Sequence, residues 1–352
     1  MAAPPPHLER LAEVHDVPVG SMRTAFVVLR SLRHALDRNG GGYYDLVLGD
    51  ASARIPGKVW GDERAYGELA GGPAGEGAVV KVMFSVGMYR DALQLTVKRL
   101  RVLDESDEWN PVSVWGEGWD LVEGLRCKTL VFDIETVPAV DLETAPESVT
   151  KAVHRAADRY DGDTSKVMGL SPFYGKVVSI AVGDGEDPDG PVTALVVAPP
   201  GREDDAYPEW IRPMTEAQLL RSFWHLADSA EVVVSFNGRG FDVPFVQTRS
   251  LIHGVPARVD LMSSPFALRP HLDLYRLLAP NRGNPASASL DVICWSLGIE
   301  SPKGEMDGSL VAPTYARGDI EMIATYNVGD VRATRSVYRH LREHLLPFRK
   351  DW

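Results

Sequence analysis

The sequence predicts two domains: a small all-β barrel, then a larger α/β domain in which strands alternate with helices. Three observations lead there. At 352 residues the chain is long for a single hydrophobic core. Between residues 20 and 105, five short β-rich runs are separated by glycine-rich loops and one helix-compatible stretch. From residue 127 onward, strand-like runs alternate with segments of helical periodicity.

Residues 1–19 hold three consecutive prolines and no apolar core of a secretory signal, so a flexible tail is expected there. Strands are expected at 25–30, 43–48, 53–60, 78–89 and 93–102, with a helix at 63–70. Asn39-Gly40-Gly41-Gly42 reads as a loop and Arg90-Asp91 as a hairpin turn. Five strands with a helix between the third and fourth fit a Greek-key barrel of OB type over residues 20–105. Tyr44-Asp-Leu-Val-Leu-Gly-Asp50, Lys58-Val-Trp60 and Leu93-Gln-Leu-Thr-Val97 resemble OB modules of nucleic-acid-binding proteins. On such a barrel a single strand stacks on exposed aromatics and tracks along basic residues. The candidates are Tyr44, Trp60, Phe84 and Tyr89, with Lys58, Lys81, Arg90 and Lys98. Strand alternation places about half of these aromatics in the core instead. Residues 106–126 are acidic and tryptophan-rich and read as a linker.

The second domain is expected over 127–352, opening with a strand at 129–132. A polar excursion follows, helical at 147–160, and then strands at 176–182 and 192–198 that form a meander with the first. A helix capped by Thr215 runs to 228, with a strand at 231–236, a helix at 244–253 and a strand at 271–274. Ser287 or Ser289 caps a helix that ends at Gly298, and a long helix covers 318–345.

Composition narrows the classes. Cys127 and Cys294 are far apart and have no metal-ligand spacing, which argues against a disulfide framework or a zinc knuckle and for a reducing, cytoplasmic setting. No run of about 18 apolar residues occurs, so no membrane span is expected. The formal net charge of −12 is unfavourable for phosphate contacts, but acids that hold cations are neutralised when those bind. The acid surplus also lies at 104–120, 184–189 and 203–209, whereas 20–105 is nearly balanced.

Three motifs carry the chemistry. Val131-Phe132-Asp133-Ile134-Glu135-Thr136 places two carboxylates on one strand face with Ile134 turned to the other. Such a pair repels itself unless a divalent cation lies between, and an oxygen-rich site suits Mg²⁺ or Mn²⁺. A β-rich run then leads into Asn237-Gly238-Arg239-Gly240-Phe241-Asp242, a glycine-permitted turn with an acid at its exit. Tyr326-Asn327-Val328-Gly329-Asp330 lies in the last helical stretch, where residues four apart share a face.

Asp-x-Glu, then Asn-x-x-x-Phe-Asp, then Tyr-x-x-x-Asp resembles the three exonuclease motifs of the DEDD 3′→5′ exonucleases. The likeness is to the tyrosine subgroup, in particular to relatives of the proofreading domain of family B DNA polymerases. The histidine subgroup has a His one residue before the tyrosine, where this chain has Thr325. The resemblance implies an RNase H-like fold and two divalent cations, Mg²⁺ or Mn²⁺, held by Asp133, Glu135, Asp242 and Asp330. It implies that Asp133 bridges the two, that Glu135 and Asp330 complete the site on the nucleophile side, and that Asp242 holds the other. Tyr326, with an ordinary phenol pKa near 10, then orients the attacking water. Thr136, Asn237 and Phe241 are expected to meet the terminal nucleotide, although turn structure and packing explain Asn237 and Phe241 equally well. Lys303, in a loop at 301–308 similar to one in family B-related exonucleases, is a candidate phosphate contact. His271 and Asp273 read as supporting residues.

The implied activity is release of nucleoside 5′-monophosphates from the 3′ end of single-stranded nucleic acid, DNA favoured over RNA. The alternatives are a non-catalytic single-strand-binding or scaffold subunit of a repair or defence complex, an exoribonuclease, or an endonuclease using the same metals.

Overall fold

A computed structural model describes residues 4–263, 267–278, 289–300 and 306–352. The chain divides into two units, Met1–Trp119 and Asp120–Trp352.

In the first unit, strands β1 (Met22–Leu36), β2 (Gly42–Gly49) and β3 (Arg54–Trp60) are followed by helix α1 (Arg64–Ala70), then β4 (Val79–Tyr89) and β5 (Ala92–Val102). They close into a barrel in the order β1-β2-β3-β5-β4. β1 is much longer than its expected six residues because it serves two neighbours, pairing β4 with its first half and β2 with its second. The register shifts between Leu29 and Ser31, a bulge that bends one strand around the barrel. β4 alternates strictly, with Val80, Val82, Phe84 and Val86 inside. Arg90 and Asp91, both at positive φ (50° and 62°), form the two-residue turn between β4 and β5 that the right-handed strand twist favours.

Residues 4–19, within the stretch 1–19 expected as a flexible tail, are different. Leu8, Leu11 and Val14 recur every three residues and join the barrel core, and Asp50 accepts the Leu11 N–H at 2.6 Å. The expected linker at 106–126 is likewise structured. Asp107 pairs with Arg101 and Lys81, and helix α2 (Pro111–Trp115), capped by the Asn110 side chain, packs on β1. A 3₁₀ turn at Asp120–Val122 opens the second unit.

That unit runs β6 (Thr129–Pro138), α3 (Glu147–Ala157), α4 (Thr164–Gly169), β7 (Gly175–Asp184), β8 (Val192–Val196), β9 (Ile211–Pro213), α5 (Glu216–Ser229), β10 (Val232–Ser235) and α6 (Asp242–Ile252). It continues with β11 (His271–Asp273), α7 (Leu274–Leu278), α8 (Leu290–Leu297), α9 (Val311–Ala316) and α10 (Ile320–His344). The sheet order is β11-β10-β6-β7-β8-β9. β11, β10 and β6 are parallel, β7 is antiparallel to both β6 and β8, and β9 pairs parallel with β8, which makes the sheet mixed.

Helices cover both faces. Phe132 and Ile134 of β6 pack with Phe223 and Trp224 of α5 and Val243 and Phe245 of α6. Val131 and Val137, on the opposite face, pack into a core that includes Val328, Val331 and Val337 of α10. Thr215 caps α5 in a reciprocal box with Gln218, Ser289 caps α8, and Gly298 ends α8 in the left-handed conformation. Among the described residues, no helix is long and apolar enough to cross a membrane.

Candidate active site

β6 is the third strand of six, with β10 on one side and β7 on the other. Alternation turns Val131, Asp133, Glu135 and Val137 toward α10, and Asp133 and Glu135 stand opposite Ala181 and Ser179 of β7. α10 supplies Tyr326 and Asp330 one turn apart, close enough for the Asp330 charge to act on the Tyr326 phenol. Carboxylate oxygens of Asp133, Glu135 and Asp330 lie within 4.8 Å of one another.

Asp242 reaches the site by a different route. β10 ends at Ser235, and the turn after it places Asn237 at φ 61°. Gly238 has no room for a side chain, because a Cβ there would come within 2.1 Å of Ser235 Oγ. Asp273, at the end of β11, clamps the turn by accepting the backbone N–H of Asn237 (2.9 Å) and of Arg239 (3.1 Å). Asp242 then opens α6, only 4% exposed, where the backbone N–H groups of Asp242 itself and of Ile134 on β6 favour its charged form. Asp242 is not among the three closest acids, but its charge acts on both Asp133 and Glu135.

The electrostatics follow from burial and from like charge. Burial, then Asp242, Asp330 and Glu135, holds Asp133 well above the ordinary carboxylate range. Burial, then Asp330 and Asp242, does the same to Glu135. Asp242 is raised to about 7, chiefly by burial, with Asp273 and Asp330 adding to it against the opposing effect of the Asp242 and Ile134 backbone N–H groups. The Tyr326 phenol is pushed up by burial, then by Asp330, Glu135 and Asp133. Among the described residues, Asp133, Glu135 and Asp242 form no ion pair with Lys or Arg. Clustered hard oxygen donors that repel one another fit a hard divalent cation.

Asn327 went unnoticed in the sequence although it lies inside the third motif. It is fully buried, donates Nδ2–H to Asp133 Oδ2 at 2.7 Å and accepts the Ser179 hydroxyl at 2.8 Å. A carboxamide three residues before an acid, on the face between a tyrosine and that acid, was the available signal. Thr136 donates its hydroxyl to the Gly169 carbonyl at 2.7 Å, tying the end of α4 to β6. The Phe241 ring packs on Phe245, with centroids 5.5 Å apart. His271 and Asp273 are supporting residues: the Ser235 hydroxyl and the Leu261 carbonyl engage the two His271 nitrogens at 2.8 and 3.1 Å. Lys303 lies outside the described residues.

On the barrel, the expected aromatics separate. Tyr44 stands opposite Val59, a core residue, and packs inward with Tyr66 and His34, so it does not share a face with Trp60. Phe84 is fully buried. Trp60 (39% exposed) pairs instead with Tyr43 across the ladder, ring centroids 5.5 Å apart, and the Lys58 ammonium lies 4.1 Å from the Tyr43 ring centroid. Tyr89, 55% exposed at the β4–β5 turn, carries Arg90 over its ring. The basic candidates are mostly engaged: Lys58 with Asp45, Lys81 with Asp107 and Lys98 with Glu63.

Residues 176–347 match a family described as a predicted 3′-5′ exonuclease related to the exonuclease domain of PolB. The match begins beyond Asp133 and Glu135 and takes in Asp242, Tyr326 and Asp330. It supports an exonuclease relationship for the second unit. Among solved structures, the family B DNA polymerase of the hyperthermophilic archaeon Pyrobaculum calidifontis is similar at 15% identity and a TM-score of 0.41, over 90% of this chain and 46% of that one. The chain thus spans less than half of that polymerase. The mitochondrial single-stranded DNA binding protein of S. cerevisiae is similar at 14% identity and a TM-score of 0.21, over 24% of this chain and 97% of that one. The second OB-fold domain of replication protein A from Methanococcus maripaludis is similar at 22% identity and a TM-score of 0.19, over 26% of this chain and 89% of that one.

Proposed function

We propose that the chain is a metal-dependent 3′→5′ exonuclease that removes nucleoside 5′-monophosphates from single-stranded nucleic acid, DNA in preference to RNA. One observation carries this: Asp133, Glu135, Asp242 and Asp330 gather with Tyr326 around one buried strand, and each of the first three is raised by its acidic neighbours. In this reading the second unit is an RNase H-like domain of the tyrosine subgroup and the barrel is of OB type.

Two divalent cations would be held here, with Asp133 as the ligand common to both, Glu135 and Asp330 completing the site on the nucleophile side, and Asp242 holding the other. The cations, when bound, supply acidification of the attacking water and neutralisation of charge on the departing 3′ oxygen. The protein's own part is placement. Tyr326 stays protonated and offers a hydrogen bond that aims the water, since a phenol raised above its ordinary value is a poor base. Asn237 and Phe241, beside Asp242, seat the last nucleotide, and Glu135 and Asp242 are buried while Asp133 and Asp330 stay partly open to it. On the first unit, the Trp60–Tyr43–Lys58 surface and Tyr89 offer stacking platforms for a single strand.

A matched pair of linear and circular single strands tests the reaction class. With Mg²⁺ or Mn²⁺ the linear DNA is degraded and the circle survives, whereas a nicked circle makes the enzyme an endonuclease. Linear RNA degraded faster than linear DNA would reverse the assigned preference.

A further inference from the structure

Asn327 is fully buried between two polar partners that come from different strands. Its Nδ2–H donates to Asp133 Oδ2 at 2.7 Å, and its Oδ1 accepts from Ser179 Oγ at 2.8 Å. Ser179 is also fully buried and stands opposite Glu135 in the β6–β7 ladder. The three side chains therefore run from β7 through α10 to β6. An ionised carboxylate only accepts, so the amide must turn its NH₂ toward Asp133, and the Ser179 hydroxyl then donates to the remaining carbonyl oxygen.

We infer that Asn327, oriented by Ser179, is a positioning residue that fixes Asp133 as a metal ligand. This rests on the exonuclease reading of the same site. The amide engages Oδ2 with a neutral donor and leaves Oδ1 for a cation. A lysine or arginine in its place would cancel the charge that draws the cation. An apolar side chain would leave Asp133 free to rotate and one oxygen unsatisfied. Because the amide sits on α10, it also holds Asp133 in register with Asp330, the acid from that helix. Groups behind a ligand that set its orientation typically change metal affinity or activity by about 10- to 100-fold when removed.

The test is Mn²⁺ binding to the full chain without nucleic acid, followed by the paramagnetic resonance signal of free Mn²⁺, in wild type, Asn327→Leu and Ser179→Ala. Thermal melts in EDTA accompany it. Asn327→Leu is expected to weaken the tightest Mn²⁺ by about 10-fold or more, and Ser179→Ala to weaken it less, in the same direction. Cleavage by Asn327→Leu should recover as Mn²⁺ is raised, with an unchanged KM for the strand. Wild-type Mn²⁺ affinity in both variants, whatever their melting temperatures, overturns the inference and leaves the amide a packing contact. If Asn327→Leu does not fold, Ser179→Ala decides alone, and an unaltered affinity overturns it. Failure of the exonuclease reading looks different: wild type then shows no Mn²⁺ binding that Asp133→Ala removes, and both fall together.

Discussion

Tyr326 and Asp330 stand one turn apart on α10, and both lie close enough to the acids of β6 to feel their charge. A half-buried phenol among carboxylates holds its proton tightly, so Tyr326 presents an O–H donor and not a titrating group.

Tyr326→Phe should therefore lower kcat by about 10²-fold, the scale of a misplaced reactant, while KM and melting temperature change little. Steady-state kinetics on a short strand measures this. Because the phenol is raised, no loss of activity below pH 10 should trace to its ionisation. A wild-type kcat in the phenylalanine variant would remove Tyr326 from the chemistry.

The crowded acids make a second expectation. Mg²⁺ or Mn²⁺ should stabilise the folded chain by about 2.7 kcal/mol at a hundredfold excess over Kd, read as a rise of several degrees in Tm. Asp242→Asn should raise Tm in EDTA at pH 8 and shrink the rise on adding metal. Asp242 is held at about 7 against an ordinary 3.8, so its folded form is penalised as pH climbs through that interval. The gain from Asp242→Asn should accordingly vanish at pH 4. Equal gains at both values would contradict the repulsion.

His271 sets an opposite dependence. Burial, then Arg239, lowers it from 6.5 to about 3, so the folded chain keeps it neutral while the unfolded chain takes up a proton. Its contribution to stability is complete above pH 6.5 and declines as pH falls toward 3. His271→Gln should lower Tm at pH 8, where the bonds to Ser235 and Leu261 are lost, yet flatten the decline between pH 6.5 and 4. Thermal melts across that range decide it, and an unchanged acid slope would show that His271 is not its source.

Trp60→Ala should weaken binding of long single-stranded DNA by about 1–3 kcal/mol, the usual worth of one stacked base. Tyr44→Phe should change it little, because Tyr44 faces the core. Fluorescence anisotropy with a labelled oligonucleotide compares them. The reverse ranking would place the strand elsewhere on the barrel.

How far these features were legible depends on their range along the chain. Asp133 and Glu135 follow from two-residue alternation, and Tyr326 and Asp330 from a single helical turn; both are local rules. The Thr215 cap and the Arg90-Asp91 turn are local as well. Tyr43 and Tyr44 are neighbours, so a shift of one residue in strand register exchanges which faces solvent. The Asn327–Asp133 bond joins residues 194 positions apart, and no periodicity marks it. Leu8, Leu11 and Val14 follow a proline run and look like a tail until the barrel they complete exists. β9, three residues long, owes its strand form to pairing with β8.

The central claim is that the β6 acids direct cleavage from the 3′ end. The measurement closest to it is a gel of 5′-labelled single-stranded DNA incubated with wild type or Asp133→Ala in Mg²⁺, Mn²⁺ or EDTA. Wild type should give a ladder that shortens from the 3′ end only when metal is present, and Asp133→Ala should bind the strand but leave it whole. Intact strands in every wild-type lane, or the same ladder from Asp133→Ala, would contradict the account.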